Sequence, residues 1–390
     1  MRGKRVALLV VCACALGLLL GVVSVAQAKP GGLRPVEYLG QQLFFDNSLS
    51  EPAGLACAGC HGPDVGYTGP DEAINMAGAV YQGAVKGMFG NRKPPTAAYA
   101  GGSPVFADVA GTFTGGMFWD GRATGWTLGD PLAEQAGGPF LNPLEQNNPS
   151  MAAVVEKVQT GPYASLFIQV WGQYAFDDTQ KAYDFISRSI AAYERSAEVS
   201  RFDSRFDTYR STGQGLTEEE KLGLSLFEGK ANCANCHVTT PDQAAGGVVF
   251  TDYTYDNLGI PKNPDNPFYS EPEFNPAGAA WIDPGLGGFL ETVPAFSSQA
   301  GGQMGKFKVP TLRNVDKRPD PGFVKAYGHN GYFKSLAEIV HFYNTRDIPG
   351  AGWPAPEYAA TMNTTEMGNL GLTPAEETAI VAFLKTLTDR

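Results

Sequence analysis

Cys57-Ala58-Gly59-Cys60-His61 and Cys233-Ala234-Asn235-Cys236-His237 are the same pattern, C-x-x-C-H, written twice in one chain. The pattern is the attachment signature of a c-type haem. Its two thiols form thioethers with the haem vinyl groups, and the adjacent imidazole is held under the iron as the proximal ligand. One copy could be a redox dithiol that happens to precede a histidine. Two copies in a chain with six cysteines do not fit that reading. A zinc site would need four ligands gathered by spacing, and no further cysteine lies near either pair. Two covalent haems are therefore expected, attached at Cys57, Cys60, Cys233 and Cys236, with His61 and His237 on the irons.

The sequence around each motif repeats as well. Leu39-Gly40-x-x-Leu43-Phe44 precedes the first motif and Leu222-Gly223-x-x-Leu226-Phe227 the second. Pro95-Thr96 pairs with Pro310-Thr311, Trp119-Asp120-Gly121 with His329-Asn330-Gly331, and Leu132-Ala133-Glu134 with Leu336-Ala337-Glu338. The same order in both halves points to a duplicated haem domain. Helices are expected over Pro35–Asp46, 150–170, 179–198 and Lys334–Tyr343. Thr217 with Glu220 and Thr373-Pro374 with Glu376 are capping boxes that open two more. Within 179–198, Ala182, Phe185, Ile186, Ser189, Ile190 and Tyr193 recur at helical spacing. Ile380, Val381, Phe383, Leu384 and Leu387 are the expected buried side of the last helix. Arg201–Gly215 is polar and reads as the link between domains. With 48 Gly and 28 Pro, residues 62–118 and 239–305 read as long loops wrapping the haems. The expected fold is mainly α, two cytochrome c-like haem domains in tandem, loop-rich with little β. Residues 29–200 would form the N-terminal domain and 201–390 the C-terminal one.

Arg2, Lys4 and Arg5, the uncharged run Val6–Val25 and Ala26-Gln27-Ala28 form a secretory signal peptide over residues 1–28. The run approaches membrane-spanning length, but the small-x-small site favours cleavage over an uncleaved anchor. Cys12 and Cys14 would leave with it, so every remaining cysteine belongs to a haem motif. A periplasmic protein is expected, with no membrane attachment after cleavage. The net charge of -11 argues against nucleic acid and anionic membranes as partners.

The repeat also separates the two irons. At the offset set by the Leu-Ala-Glu match, Pro139 falls opposite Tyr343. A tyrosine phenolate can bind ferric iron, whereas proline has no side-chain donor. If this position faces the sixth coordination site in both halves, the second haem is closed by Tyr343 and the first is open to a small ligand. His341 is the competing ligand, but residues two apart on a helix do not face the same way.

These residues resemble the bacterial di-haem cytochrome c peroxidases and their relative MauG, over nearly the whole mature chain. The resemblance rests on both haem motifs, Phe118-Trp119-Asp120-Gly121-Arg122-Ala123, Glu134-Gln135-Ala136 with Gly138-Pro139, and Asn142-Pro143-Leu144-Glu145. Lys308-Val309-Pro310-Thr311-Leu312-Arg313-Asn314 and His329-Asn330-Gly331 complete it. It implies a peroxide-binding haem in the first domain and an electron-transfer haem in the second. It further implies Trp119 between them, and Gln135 and Glu145 at the peroxide. Read alone, Trp119 is a core aromatic and the other two are loop residues. Chemically, one carboxylate over an open iron can take a proton from one peroxide oxygen and return it to the other. Gln135 would orient the peroxide.

The chain departs from the family pattern in several ways. Activated peroxidases block the resting first iron with a loop histidine, but residues 62–118 contain none, so an open site is expected, as in MauG. Met76 and Met88 are the remaining loop donors, and loop methionine is more often packing. The second iron is closed by Met in typical peroxidases and here by Tyr343, as in MauG. Extra residues between Trp119 and Gln135, Trp126 among them, leave open which tryptophan lies between the haems. The resemblance also implies an interdomain calcium held by an asparagine. Lys93 stands at that position, and an ammonium cannot ligate calcium; Lys93 could supply the positive charge instead.

The leading functional expectation is a periplasmic peroxidase that reduces hydrogen peroxide with electrons from a small redox protein, a cytochrome c or cupredoxin, entering at the C-terminal haem. The alternative is a MauG-like oxidase acting on a partner protein's Tyr or Trp residues. A di-haem electron carrier is the non-catalytic alternative.

Overall fold

A computed structural model describes residues 32–390; the signal-peptide reading of residues 1–28 lies outside them. In chain order the helices are α1 (Pro35–Phe44), α2 (Glu72–Met76), α3 (Pro131–Leu141), α4 (Met151–Thr160), α5 (Ala164–Trp171) and α6 (Thr179–Glu194). The second half holds α7 (Arg205–Thr212), α8 (Glu218–Glu228), α9 (Gly285–Glu291), α10 (Leu336–Thr345) and α11 (Pro374–Lys385). Strands are short: β1 (Ala107–Val109) pairs antiparallel with β2 (Thr112–Thr114), and β3 (Tyr255–Asp256) with β4 (Phe307–Lys308). The mainly helical, loop-rich expectation holds. No helix among the described residues is long and apolar enough to cross a membrane.

The capping signals act where the sequence has them. Thr217 Oγ1 accepts from Glu220 N–H while Glu220 Oε2 accepts from Thr217 N–H, and Thr373 and Glu376 repeat the exchange at α11. Two expectations need correction. The helix expected over 150–170 is broken into α4 and α5, because Pro162 cannot donate to the ladder and holds Gly161 extended. The expected polar link over 201–215 contains α7. This helix has little apolar stripe. It is capped by the Ser204–Asp207 box and held by the buried Arg313, which donates from both terminal nitrogens to the Asp207 carboxylate at 2.7 and 2.6 Å.

Each half buries its own core. Leu39, Leu43, Phe44, Phe140, Ile186, Ile190 and Tyr193 form the first, which Val249 and Tyr253 join from the second half. Phe227, Phe250, Phe333, Phe342, Ile380 and Phe383 form the second. In both, a helix before the haem motif crosses a later helix at a glycine. A Cβ on Gly40 of α1 would lie 1.8 Å from Ser189 O of α6, and one on Gly223 of α8 would lie 1.9 Å from Ala379 O of α11. Gly→Ala inside a helix ordinarily stabilises, by up to ~1 kcal/mol. Here the backbones must part, so Gly40→Ala and Gly223→Ala should each destabilise the holoprotein by about 1–3 kcal/mol or more. Denaturant unfolding that shows either variant equal to or more stable than wild type would contradict this close packing.

Candidate haem sites and the groups between them

Both motifs open on a single 3-10 turn, Cys57–Gly59 and Cys233–Asn235. His61 N–H donates to Cys57 O at 3.0 Å and His237 N–H to Cys233 O at 2.9 Å, which holds thiols and imidazole on one short turn. His61 Nδ1 lies 3.1 Å from Tyr67 O, and His237 Nδ1 lies 2.9 Å from Phe250 O. A carbonyl can only accept, so Nδ1 carries the proton and Nε2 keeps its lone pair for a metal. Burial pushes His61 down to about 4 and His237 down as well, which keeps the ligating neutral form. The repeat extends to the threonines. Thr96 Oγ1 donates to Gly66 O at 2.7 Å and Thr311 Oγ1 to Val249 O at 2.6 Å, tying the loops that carry those carbonyl acceptors.

Around the second motif the residues fit a haem. Cys233, Cys236 and His237 border a large cavity walled by Phe227, Leu258, Leu336, Val340, Leu372 and Ile380, with Tyr343 also on its lining. Its wall includes His329, whose buried Nε2 faces Glu357 Oε2 at 3.5 Å without a hydrogen bond and whose ring stacks on Phe307 at 3.5 Å. His341 turns away: its side chain is 51% exposed and Nδ1 pairs with Glu377 at 3.0 Å. The two candidate ligands therefore have different surroundings, as two positions apart on α10 require. Cys236, Asp256 and Glu366 come close enough to hold a metal ion, but the Cys236 thiol belongs to the haem motif.

Around the first motif, Gln135 and Pro139 lie four residues apart on α3 and so share a face. Glu145 follows in the turn beyond α3, its amide donating to Asn142 O at 3.0 Å. Its charge adds to the burial that pushes both the Cys57 and the Cys60 thiols up. Burial pushes the Glu145 carboxyl above its ordinary range, against the pull of Arg122 and Asn142. Arg122 stands over the Phe118 ring at 3.9 Å. Sequence reading missed Glu194. It is buried on α6 near Cys57, its Oε2 has no partner, and burial lifts its carboxyl to about 8. A lone Glu at the end of an apolar helical stripe was its only sequence signal. An unpartnered buried carboxyl oxygen whose charge reaches Cys57 fits a site completed by a bound group.

Trp119 is hydrogen-bonded to both halves of the chain. It is buried, borders the cavity that holds His237, and donates Nε1–H to Lys93 O at 2.8 Å. Lys93 N–H donates to His329 O at 2.9 Å and Lys308 N–H donates to Trp119 O at 2.8 Å, a reciprocal clasp between the repeats. Arg92 fixes the same loop, pairing with Asp120 at 2.6 Å and Asp283 at 2.7 Å. Trp126 is 49% exposed and packs on Phe106, Phe289 and Phe296. Of the two tryptophans, Trp119 borders the cavity. Met76 is exposed and Met88 half-buried. The residues do not fit calcium. Lys93 Nζ donates to Thr68 Oγ1 and Pro94 O at 2.8 and 3.0 Å, and Lys325 Nζ to Val65 O, Asn314 O and Lys317 O at 2.8, 3.1 and 2.9 Å. Oxygens that a cation would need are already taken by two ammonium groups.

Two sets of thiols and imidazole should yield two haems per chain that resist acid-acetone extraction. A pyridine haemochrome assay returning one haem per chain would contradict the second site.

The family profile for di-haem cytochrome c peroxidase matches residues 35–216. The methylamine utilization protein MauG of Paracoccus denitrificans is 36% identical, over 97% of this chain and 95% of its own. Cytochrome-c peroxidase IdrP2 of Denitromonas iodatirespirans is 25% identical over 93% of this chain and 83% of its own. The crystal structure of the diheme peroxidase BthA from Burkholderia thailandensis aligns with a TM-score of 0.76 at 31% identity, covering 91% of this chain and 86% of that one.

Proposed function

The chain belongs to the di-haem cytochrome c peroxidase family, and on that premise we propose that it is a periplasmic enzyme that reduces hydrogen peroxide to water at its first haem. Family membership makes it a haem-peroxidase oxidoreductase with two c-type haems. Residues 29–200 carry the peroxidatic haem on Cys57, Cys60 and His61. Residues 201–390 would hold the electron-transfer haem through Cys233, Cys236 and His237, with Tyr343 as the further residue that would bind its iron. When bound, the haems supply the redox chemistry, accepting peroxide at one iron and storing electrons at the other. Glu145 takes the proton from one peroxide oxygen and returns it to the other. Gln135 donates a hydrogen bond that orients the peroxide, and Pro139, which shares its face of α3, has no side-chain donor that would compete for the iron. Trp119, hung from Lys93 O, carries charge between the sites. Electrons come from a small redox protein, a cytochrome c or cupredoxin, and enter through the second haem.

The observation that carries this reading is Glu145: an acid whose burial raises its pKa, whose charge reaches both first attachment thiols, in the turn after α3 and six residues beyond Pro139. A pure electron carrier has no use for such a group. A second reading, a MauG-like oxidase that draws its electrons from a partner protein's Tyr or Trp residues, is favoured by Tyr343 on the lining of the second cavity. Steady-state turnover decides between them. Rapid peroxide consumption with reduced cytochrome c or cupredoxin supports the peroxidase. Slow consumption with both donors, together with oxidation of protein Tyr or Trp, supports the oxidase.

A further inference from the structure

Trp119 borders a second, smaller cavity, on which two tyrosines, Tyr99 and Tyr253, also lie. A tyrosine can be oxidised at moderate potential only if its phenolic proton has somewhere to go. Tyr255, Tyr183 and Tyr327 offer no such exit, since they donate to the backbone carbonyls of Gly115, Gly137 and Val315. A carbonyl oxygen cannot take up a proton near neutral pH. Tyr163 and Tyr193 meet the carboxylates of Asp46 and Glu198 but do not line this cavity. Tyr253 donates instead to Asp242 Oδ2 at 2.6 Å. Asp242 sits half-exposed in the 239–247 loop, its Oδ1 accepting from Ala245 N–H at 2.9 Å, so a proton received there can pass to water. The backbone at Gly102 leaves room for the pair, since a Cβ there would lie 2.4 Å from the Tyr253 hydroxyl.

Tyr99 also meets a carboxylate, Asp389. Two features set it apart. Asp389 is buried and already accepts from Asn314 at 3.0 Å, and the Arg313 guanidinium lies 5.1 Å from the Tyr99 ring. Arginine keeps its charge, and a fixed cation opposes removal of an electron from the ring. The cation over the Tyr253 ring is Lys308 Nζ, 5.1 Å from its centre, and burial lowers that amine to about 7, so it can shed its charge. The wiring to Trp119 is short. Lys308, whose amide donates to Trp119 O, also donates from Nζ to Tyr253 O at 3.3 Å.

We propose that Tyr253 and Asp242 form a proton-coupled redox station beside Trp119, at which an oxidising equivalent left by peroxide is held as a neutral tyrosyl radical. In the step, Tyr253 gives one electron toward Trp119 and its phenolic proton to Asp242 Oδ2. The electron cancels one of the two equivalents that peroxide removes from the haem pair. One electron from the small redox protein, with the proton returned by Asp242, restores the phenol. The proposal rests on the peroxide reading above.

The test uses the holoprotein with one equivalent of hydrogen peroxide and no reductant, followed by haem absorption and freeze-quenched electron paramagnetic resonance. Wild type should give a tyrosyl signal that narrows with ring-deuterated tyrosine. Tyr253→Phe should abolish it and Tyr99→Phe should leave it. Asp242→Asn keeps the ring but removes the proton acceptor, and should cut the yield about tenfold or more. That arm stands by itself if Tyr253→Phe fails to assemble. A signal undiminished in Tyr253→Phe or in Asp242→Asn overturns the proposal. Haem bands that respond to peroxide with no tyrosyl signal overturn it alone. Bands that ignore peroxide overturn the peroxide reading together with it.

Discussion

Glu145→Gln should retain both haems and slow peroxide cleavage by ~10²–10⁴-fold, the usual weight of a general acid-base group. That is roughly 3–5 kcal/mol of barrier. The substitution is nearly isosteric, so the turn that holds residue 145 through Asn142 O should survive. What is lost is the ability to accept a proton and give it back. The pH profile provides an independent readout. Only the ionised carboxylate can take the first proton, and burial raises the Glu145 pKa. The rate should therefore rise with pH through an apparent pKa above the ordinary carboxylate value of ~4.3. Below that pKa Glu145 is protonated and the rate falls. In Glu145→Gln the limb should vanish with the rate. Stopped-flow measurement of the haem bands against peroxide concentration gives both quantities. An unchanged rate constant, or a limb that persists in the variant, would remove Glu145 from the reaction.

The parts of the molecule that were legible in the sequence are those with local signals. Thr217 with Glu220 and Thr373 with Glu376 announce helices because a capping box is a four-residue pattern. The apolar face from Ala182 to Tyr193 announces α6 for the same reason. The repeat was legible as well, and the matched bonds of Thr96 and Thr311 follow it. What was illegible depends on partners far along the chain. α7 looked like a linker because it is polar, and it is polar because Asp207 pairs with Arg313. Val249 and Tyr253 look like second-half residues but pack in the first core. Glu194 reads as one more helical glutamate until its missing partner is seen. Trp119 and Trp126 could not be ranked by spacing. Burial ranks them, since Trp119 is enclosed by the clasp of Lys93 and Lys308 while Trp126 reaches solvent.

Tyr343→Phe should convert the second haem from low-spin to high-spin at rest, because it removes the phenolic oxygen and keeps the ring that fills the cavity wall. Phenolate is an anionic oxygen ligand and stabilises the higher oxidation states of iron. Its loss should therefore make the second haem easier to reduce and end the sharing of charge through Trp119. His341→Ala serves as the opposing variant. His341 is half-exposed and engaged with Glu377, so its loss should cost only a surface pair, ~0–1 kcal/mol of stability, and leave the spectrum alone. Resting-state electron paramagnetic resonance of the wild type and both variants, with a redox titration of the second haem, reads the outcome. If the low-spin signal survives in Tyr343→Phe and disappears in His341→Ala, then α10 must turn in the loaded protein to bring His341 over the iron. The oxidase reading then loses its main support, since it was Tyr343 at the second iron that set this chain apart from peroxidases closed there by methionine.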